Sequence, residues 1–262
     1  MPEAIDDIAS EPVLSLEGHR AIIRLNRPRL LNRLQPSDLA TLMALFDRVE
    51  AESRVRVLVL TGTGRAFCAG FDLGTVAART ASAPDEQSAG SAFEAVADRL
   101  EDLGVPTICR LNGGVYGGAT DLALACDFRI GVETCEMFMP AARLGLHYYK
   151  SGMSRYVSRL GVNAAKKLFL TAQKIDAAEM LAIGYLTAMV PAAELDREVD
   201  ALATTLAGNA PVAMRGMKRT INEIAHSKLD EAAADQRQRD SMRGDEIKEG
   251  VAAYKEKRRP KF

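Results

Sequence analysis

The sequence has almost no net charge and no long apolar run. Its 34 Lys and Arg residues nearly balance its 35 Asp and Glu residues, which leaves a net charge of −1. This balance argues against nucleic acid or an anionic membrane as an electrostatic partner. The longest stretches without a charged residue, 180–193 and 201–214, each contain 14 residues, fewer than the about 20 that a membrane-spanning helix needs. We therefore expect neither a nucleic-acid partner nor a membrane partner.

Cysteine and histidine are also scarce. None of the four cysteines forms a CxxC pair and there are only three histidines, which excludes a zinc finger or ribbon and disfavours a disulfide framework. We predict no metal site. The first seven residues, MPEAIDD, lack the apolar segment of a signal peptide. The hydrophobic fraction of 47% and the charged fraction of 26% are typical of a soluble globular protein. Together these features predict a reduced, cytoplasmic protein.

The first half of the chain alternates between strand and helix patterns. A turn at Gly18 and His19 predicts a hairpin between strands at 12–17 and 20–25. Further buried strands are predicted at 55–60, 105–111 and 128–132. Apolar spacings of three or four predict helices after Gln35, through 93–103 and at 118–126. This alternation predicts an α/β fold with a mainly parallel sheet covered on both faces. Residues 74–92 show little periodicity and predict a mobile loop.

The second half has a predominantly helical pattern. Its predicted helices lie at 152–160, 162–171, 176–183, 193–208, 211–226 and 229–256, with one possible strand at 186–190. We therefore predict a core in residues 1–195 and a C-terminal helical region in residues 196–262.

Two glycine-bearing segments each follow a predicted buried strand. The first, GTGRAFCAGFDL at 62–73, has Phe67 where the dinucleotide fingerprint needs its third glycine. It also lacks the GK[ST] sequence of a phosphate-binding loop. A plain turn between strand and helix remains an alternative.

The second segment, GGVYGGATD at 113–121, leads into the start of a predicted helix. Unpaired backbone N–H groups and the helix dipole stabilise an anion there. Asp121 lies one turn after Gly118, and helical side chains lean toward the N-terminus. Its carboxylate can therefore point back over an anion at this position, or it can simply complement the helix dipole.

Both segments resemble the crotonase (enoyl-CoA hydratase/isomerase) superfamily, and the resemblance covers nearly the whole chain. Other similar segments are LNRP at 25–28, Leu31-Asn32, LVLTG at 58–62, DLA at 121–123, CDFR at 126–129 and EGVAAYKEKR at 249–258. The resemblance implies a right-handed ββα superhelix, with mainly parallel sheets flanked by helices. It also implies a C-terminal helical trimerisation region in a homotrimer or dimer of trimers.

The resemblance further implies an enzyme acting on acyl-CoA thioesters, with coenzyme A as part of the substrate and no separate cofactor. By motif position, the backbone N–H groups of Phe71 and Gly118 would bind the thioester oxygen and stabilise an enolate. Arg29, Arg65 and Lys257 would approach the nucleotide, the last from another subunit. The remaining residues predicted to contact substrate are Ala69, Gly70, Asp72, Gly117, Ala141 and Tyr254.

The acidic residues depart from the hydratase pattern. Asp121 replaces the first glutamate, and Ala141, which follows Pro140, replaces the second. Two carboxylates let a hydratase deliver a proton to Cα while activating water at Cβ. Because one of them is missing, the sequence is also consistent with functions other than hydration. We predict reversible hydration of a 2-enoyl-CoA. The alternatives are double-bond isomerisation with a single acid and a non-catalytic acyl-CoA-binding protein.

Tyr149 occupies the position of a catalytic aspartate in dienoyl-CoA isomerase relatives. It could hydrogen-bond or act as a weak acid, or it could form the wall of an acyl pocket with Tyr148. His147 and Cys68 are expected to be structural, and Arg33, where the family usually has alanine, has no role that the sequence explains.

Overall fold

The computed structural model describes residues 10–72 and 89–262, and within them the chain forms two sheets. The strands are β1 (Val13–Glu17), β2 (Arg20–Leu25), β3 (Val57–Gly62), β4 (Ala66–Cys68), β5 (Thr107–Leu111), β6 (Gly114–Tyr116), β7 (Phe128–Val132), β8 (Glu136–Phe138), β9 (Ile175–Asp176) and β10 (Ala188–Val190). The helices are α1 (Pro36–Ala51), α2 (Ala89–Glu101), α3 (Ala119–Ala125), α4 (Lys150–Lys166), α5 (Ala177–Ala182), α6 (Leu195–Ala207), α7 (Pro211–Ala225), α8 (Glu231–Arg243) and α9 (Asp245–Glu256).

The larger sheet has the order β1-β2-β3-β5-β7-β10. Its first pair is the predicted antiparallel hairpin, and every other neighbouring pair is parallel. All six residues of β3 are buried, as expected for a strand covered on both faces. This arrangement confirms the predicted α/β class and its mainly parallel sheet.

A second sheet, β4-β6-β8-β9, lies beside the first. Each of β3, β5 and β7 passes through a short turn into a strand of this sheet, and α3 follows the β5–β6 pair directly. The result is the ββα repeat that the family resemblance implies. The residue pattern alone did not resolve this second sheet, because strands of two or three residues are too short to show the alternation of a β-strand.

The predicted helices largely match the structure, with two corrections. The predicted 229–256 helix is divided at Gly244, whose backbone is extended (φ −70°, ψ 170°), so two helices form there. The predicted loop at 74–92 lies mostly outside the described residues, but residues 89–92 already belong to α2. The four residues 89–92 are too few to show the hydrophobic period of 3.6 residues that indicates a helix.

The predicted apolar stripes form the core. Leu42, Phe46 and Val49 of α1 are buried, as are Val96 and Leu100 of α2. In the described part of the chain, no helix is long and apolar enough to cross a bilayer. The division of the chain near residue 195 stays a prediction.

Candidate active site

The buried Asn32 and the partly buried Asn112 hold the turn between β3 and β4. The side-chain amide of Asn32 donates to the carbonyl oxygens of Thr63, Ala66 and Phe67 at 2.9, 2.9 and 3.1 Å. Asn112 Nδ2 donates to Gly64 O at 2.7 Å. Because the Asn32 bonds satisfy carbonyls that would otherwise be buried and unpaired, they fix the backbone that leads into residues 69–71.

That backbone leaves the N–H of Phe71 available. Leu34 N donates to Gly70 O at 2.8 Å, and Asp72 N donates to Leu34 O at 3.0 Å. Backbone groups of an extended segment alternate in direction, so the Phe71 N–H points away from Leu34. Within residues 10–72 and 89–262, it has no protein acceptor.

The Gly118 N–H lies at the start of α3 and likewise has no acceptor among the described residues. Gly70 brings the two loops together: a Cβ built on it would lie 2.7 Å from Tyr116 O and 3.3 Å from Gly118 N. Gly70 also has φ +89°, which L side chains rarely adopt. Only glycine allows this approach, and the segments carrying the two predicted N–H donors are therefore in direct contact.

Asp121, on the first turn of α3, is completely buried. Its Oδ2 accepts hydrogen bonds from the Tyr149 hydroxyl and from Arg155 Nη1, the latter at 2.6 Å. Its Oδ1 has no partner in the described part of the molecule. Burial raises the pKa of Asp121, although Arg155 and the Tyr149 hydrogen bond oppose the change. A buried carboxyl with one uncommitted oxygen and a raised pKa is suited to exchanging a proton with a bound molecule.

Tyr149 is a hydrogen-bond donor to Asp121. Burial and the charge of Asp121 raise the pKa of Tyr149 far above its usual range, so this hydroxyl stays protonated near neutral pH. Tyr148 stacks on it, with ring centroids 4.2 Å apart, and donates from its hydroxyl at 3.1 Å. The absence of a side chain at Gly152 leaves space for Tyr148 and Asp121, because a Cβ there would lie 2.5 Å from the Tyr148 ring and 3.0 Å from Asp121 Oδ2.

Phe93 lies at the start of the apolar stripe that predicts a helix through 93–103, and in the structure its ring covers Gly118. A Cβ on Gly118 would lie 3.0 Å from Phe93 Cζ, and the Phe93 ring centroid lies 6.2 Å from that of Phe71 and 6.4 Å from that of Tyr149. An apolar stripe on a helix predicts burial, and it does not indicate that one residue of the stripe contacts the active site. Arg155 was also missed, although a basic residue on the inward face of a predicted helix is a signal that could have found it.

The second acid position has no proton donor. Ala141 is buried at the start of the short helix Ala141–Leu144, and a methyl group cannot move a proton. His147 is exposed, and its Nδ1 lies 2.8 Å from Tyr148 O. Cys68 is buried, which raises the pKa of its thiol to about 12, so it packs as a neutral side chain.

The predicted phosphate-binding arginines lie on adjacent loops. Arg29 and Arg65 are both exposed, and a Cβ on Gly64 would lie 3.2 Å from Pro28 Cβ. Arg33, which the sequence left unexplained, has Nη1 3.4 Å from Asp72 Oδ1. This ion pair occupies a carboxylate that was predicted to contact substrate.

Tyr254 and Lys257 lie at the end of α9. Tyr254 is 87% exposed, and among the described hydrogen bonds none links either residue to the loops around Gly70 and Gly118.

The comparisons with known proteins all point to one family. A family model described as enoyl-CoA hydratase/isomerase matches residues 17–262. The chain is 32% identical over 245 residues to the putative enoyl-CoA hydratase/isomerase YngF of Bacillus subtilis, covering 92% of this chain and 93% of that protein. It is 31% identical over 250 residues to a short-chain-enoyl-CoA hydratase of Clostridium acetobutylicum, covering 94% of this chain and 95% of that one. The crystal structure of an enoyl-CoA hydratase from Bacillus anthracis superposes with a TM-score of 0.85 at 30% identity, covering 97% of this chain and 99% of that one. Because the family match spans nearly the whole chain, the protein belongs to the enoyl-CoA hydratase/isomerase family.

Proposed function

We propose that this protein catalyses the reversible hydration of a 2-enoyl-CoA thioester. The observation that carries the proposal is the buried carboxyl of Asp121, which has an uncommitted Oδ1 and lies one helical turn from the Gly118 N–H. Family membership and the similarity to a short-chain-enoyl-CoA hydratase support the choice of substrate.

In the proposed mechanism, the N–H groups of Phe71 and Gly118 donate to the thioester oxygen. Water attacks Cβ, the C=C electron pair moves onto the thioester oxygen as an enolate, and Asp121 takes the proton that water releases. The enolate then collapses and Asp121 returns that proton to Cα. Loss of one oxyanion donor typically costs about 3–4 kcal/mol of transition-state stabilisation, so most of the rate depends on backbone groups.

Asp121 performs both proton steps in this mechanism because Ala141 can perform neither. Tyr149 donates to Asp121 Oδ2 and thereby assists the ionised form. Its raised pKa argues against a role as a proton donor to substrate, and the rings of Tyr148, Tyr149 and Phe93 would enclose the acyl chain.

Double-bond isomerisation is the second candidate, and Ala141 is the observation that favours it. One carboxyl can take a proton from Cγ and return it to Cα, with the same enolate held by the same two N–H groups. This route needs no activated water and therefore no second acid.

The remaining proposals concern coenzyme A and assembly. Arg29 and Arg65 would bind its phosphates. Tyr254 and Lys257 would complete the site from a neighbouring subunit of a homotrimer or dimer of trimers. In support, α7 exposes one apolar face: Met217, Ile221 and Ile224 are 58%, 63% and 58% exposed, and apolar patches of this kind mark interfaces. The cytoplasmic location and the lack of a separate cofactor stay predictions.

Proton NMR with crotonyl-CoA in deuterated water tests the function, because it reports water addition at Cβ, double-bond migration and deuterium at Cα together. We expect 3-hydroxybutyryl-CoA, and we expect Asp121→Asn to slow its formation about 100-fold or more. Asp47→Asn is the matched control, since Asp47 is an exposed residue of α1 that pairs with Arg99 and contacts neither Asp121 nor Arg155.

Full turnover by the Asp121→Asn protein would overturn the assignment of both proton steps to Asp121. Deuterium at Cα or bond migration without hydration would select the isomerase. Binding of acyl-CoA without any reaction would identify a non-catalytic protein.

A further inference from the structure

A buried charge cluster lies directly behind the proposed acid. Arg155 on α4 is fully buried, and its guanidinium contacts three carboxylates from two helices. Nη1 donates to Asp121 Oδ2 at 2.6 Å, Nη2 donates to Asp98 Oδ1 at 2.7 Å, and Nε lies 3.1 Å from Glu101 Oε2. A buried cation with three acidic neighbours is held by its partners in one orientation.

Glu101 connects this cluster to two further basic side chains. Its Oε1 accepts from Arg159 Nη2 at 2.9 Å, and its Oε2 lies 3.0 Å from His226 Nε2. Burial opposes ionisation of Glu101, but Arg155, Arg159 and His226 outweigh it and lower the pKa of this carboxyl. Glu101 is therefore the ionised neighbour that shares the Arg155 cation with Asp121.

We propose that Arg155 is a positioning residue which, by binding Oδ2 of Asp121, leaves Oδ1 as the only oxygen that exchanges protons with substrate. The inference rests on the proposed function, because it assumes that Asp121 moves the proton. Oδ2 is committed to Arg155 and Tyr149, whereas Oδ1 is buried without a partner among the described residues. Without Arg155, the two oxygens of Asp121 would no longer be distinguished.

Arg155 also opposes the effect of burial on Asp121, because a neighbouring cation favours the charged form of a carboxyl. The other charged or titratable groups that face this pair are Asp98 and Glu101 on α2, Tyr156 and Arg159 on α4, Tyr148 and Tyr149 before α4, Tyr185 after α5, and His226 after α7.

The test compares the pH dependence of kcat in Arg155→Gln and Arg155→Lys with that of the unaltered enzyme. Arg155→Gln removes the cation, so the apparent pKa assigned to Asp121 should rise by about one unit or more. We expect kcat to fall at least tenfold while KM changes little, since Arg155 is fully buried and binds Asp121 from the side of Oδ2. Arg155→Lys keeps the charge and should restore the original midpoint with part of the turnover.

Arg159→Gln is the matched control, because Arg159 lies one turn further along α4 and shares Glu101 but does not contact Asp121. It should lower stability without moving the pH midpoint. Glu101→Gln provides an independent test if Arg155→Gln does not fold. This variant removes a competing negative charge, so the midpoint should move to lower pH, opposite to the Arg155→Gln shift.

A purely structural role for Arg155 predicts reduced activity with an unchanged midpoint in these variants, and that result would overturn the proposal. An equal shift in Arg159→Gln would do the same. Titration of the Asp121 carboxyl by carbon-13 NMR gives its pKa without relying on turnover. If Asp121→Asn retains activity, the proposed function fails. If it loses activity while Arg155→Gln leaves the Asp121 titration unchanged, only the positioning role fails.

Discussion

The contact between Gly70 and the Gly118 loop gives the most direct test of the proposed oxyanion site. In Gly70→Ala, the new Cβ would lie 2.7 Å from Tyr116 O and 3.3 Å from Gly118 N. Carbon cannot approach a backbone oxygen that closely, so one of the two loops must move by several tenths of an ångström. The Phe71 and Gly118 N–H groups would then no longer converge on one oxygen.

Two costs contribute to the expected loss of stability. A side chain at φ +89° costs about 1–2 kcal/mol, and overpacking adds about 1–3 kcal/mol. The catalytic effect is separate, since misplacing one oxyanion donor lowers kcat about 100- to 1,000-fold. We expect both losses in Gly70→Ala, measured by urea unfolding and by hydration of crotonyl-CoA.

Gly184→Ala separates backbone strain from crowding. Gly184 has φ +77°, and a Cβ there would meet no atom within 4 Å. This variant should lose about 1–2 kcal/mol of stability and keep its turnover. If Gly70→Ala folds and retains kcat within about threefold of the unaltered enzyme, the two N–H groups do not form the oxyanion site and the reasoning is refuted.

Three further predictions follow from buried contacts. Asn32→Ala removes a donor from the carbonyl oxygens of Thr63 and Phe67 and leaves Ala66 O with its 3.2 Å bond from Asn112, so the free energy of unfolding should fall by about 3 kcal/mol in urea unfolding; an unchanged value would contradict this role. Phe93→Ala removes the ring above Gly118, so relative kcat/KM should shift toward longer acyl chains in a series of enoyl-CoA substrates. An unchanged preference would remove Phe93 from the pocket. Glu101 has a lowered pKa, so its ionised form stabilises the fold above about pH 4.5 and loses that contribution as pH falls through the lowered value. Glu101→Gln should therefore be less stable at pH 7, and its difference from the unaltered protein should narrow at acidic pH in urea unfolding.

Several features of the fold were predictable because they depend on neighbours in the chain. The hairpin turn at Gly18 and His19, the helix break at Gly161 and the β7 strand follow from local turn residues and apolar spacing. The position of Asp121 one turn after Gly118 also follows from helix geometry alone. Periodicity and turn chemistry act over a few residues, so the sequence carries them without knowledge of the fold.

Contacts between distant segments depended on the tertiary structure. Phe93 lies over Gly118, Arg155 binds Asp121 from 34 residues away, and Arg33 pairs with Asp72. The second sheet is likewise assembled from strands of two or three residues that pair with one another across distant parts of the chain.

The sequence by itself determined which segments form the principal helices and strands, and it supplied one carboxylate beside a helix N-terminus. The tertiary structure decided which oxygen of that carboxylate is uncommitted, which cation opposes its burial and which ring covers the neighbouring N–H. The physical reason is that a hydrogen bond or ring contact needs groups within a few ångströms in space, and separation along the chain does not specify that distance.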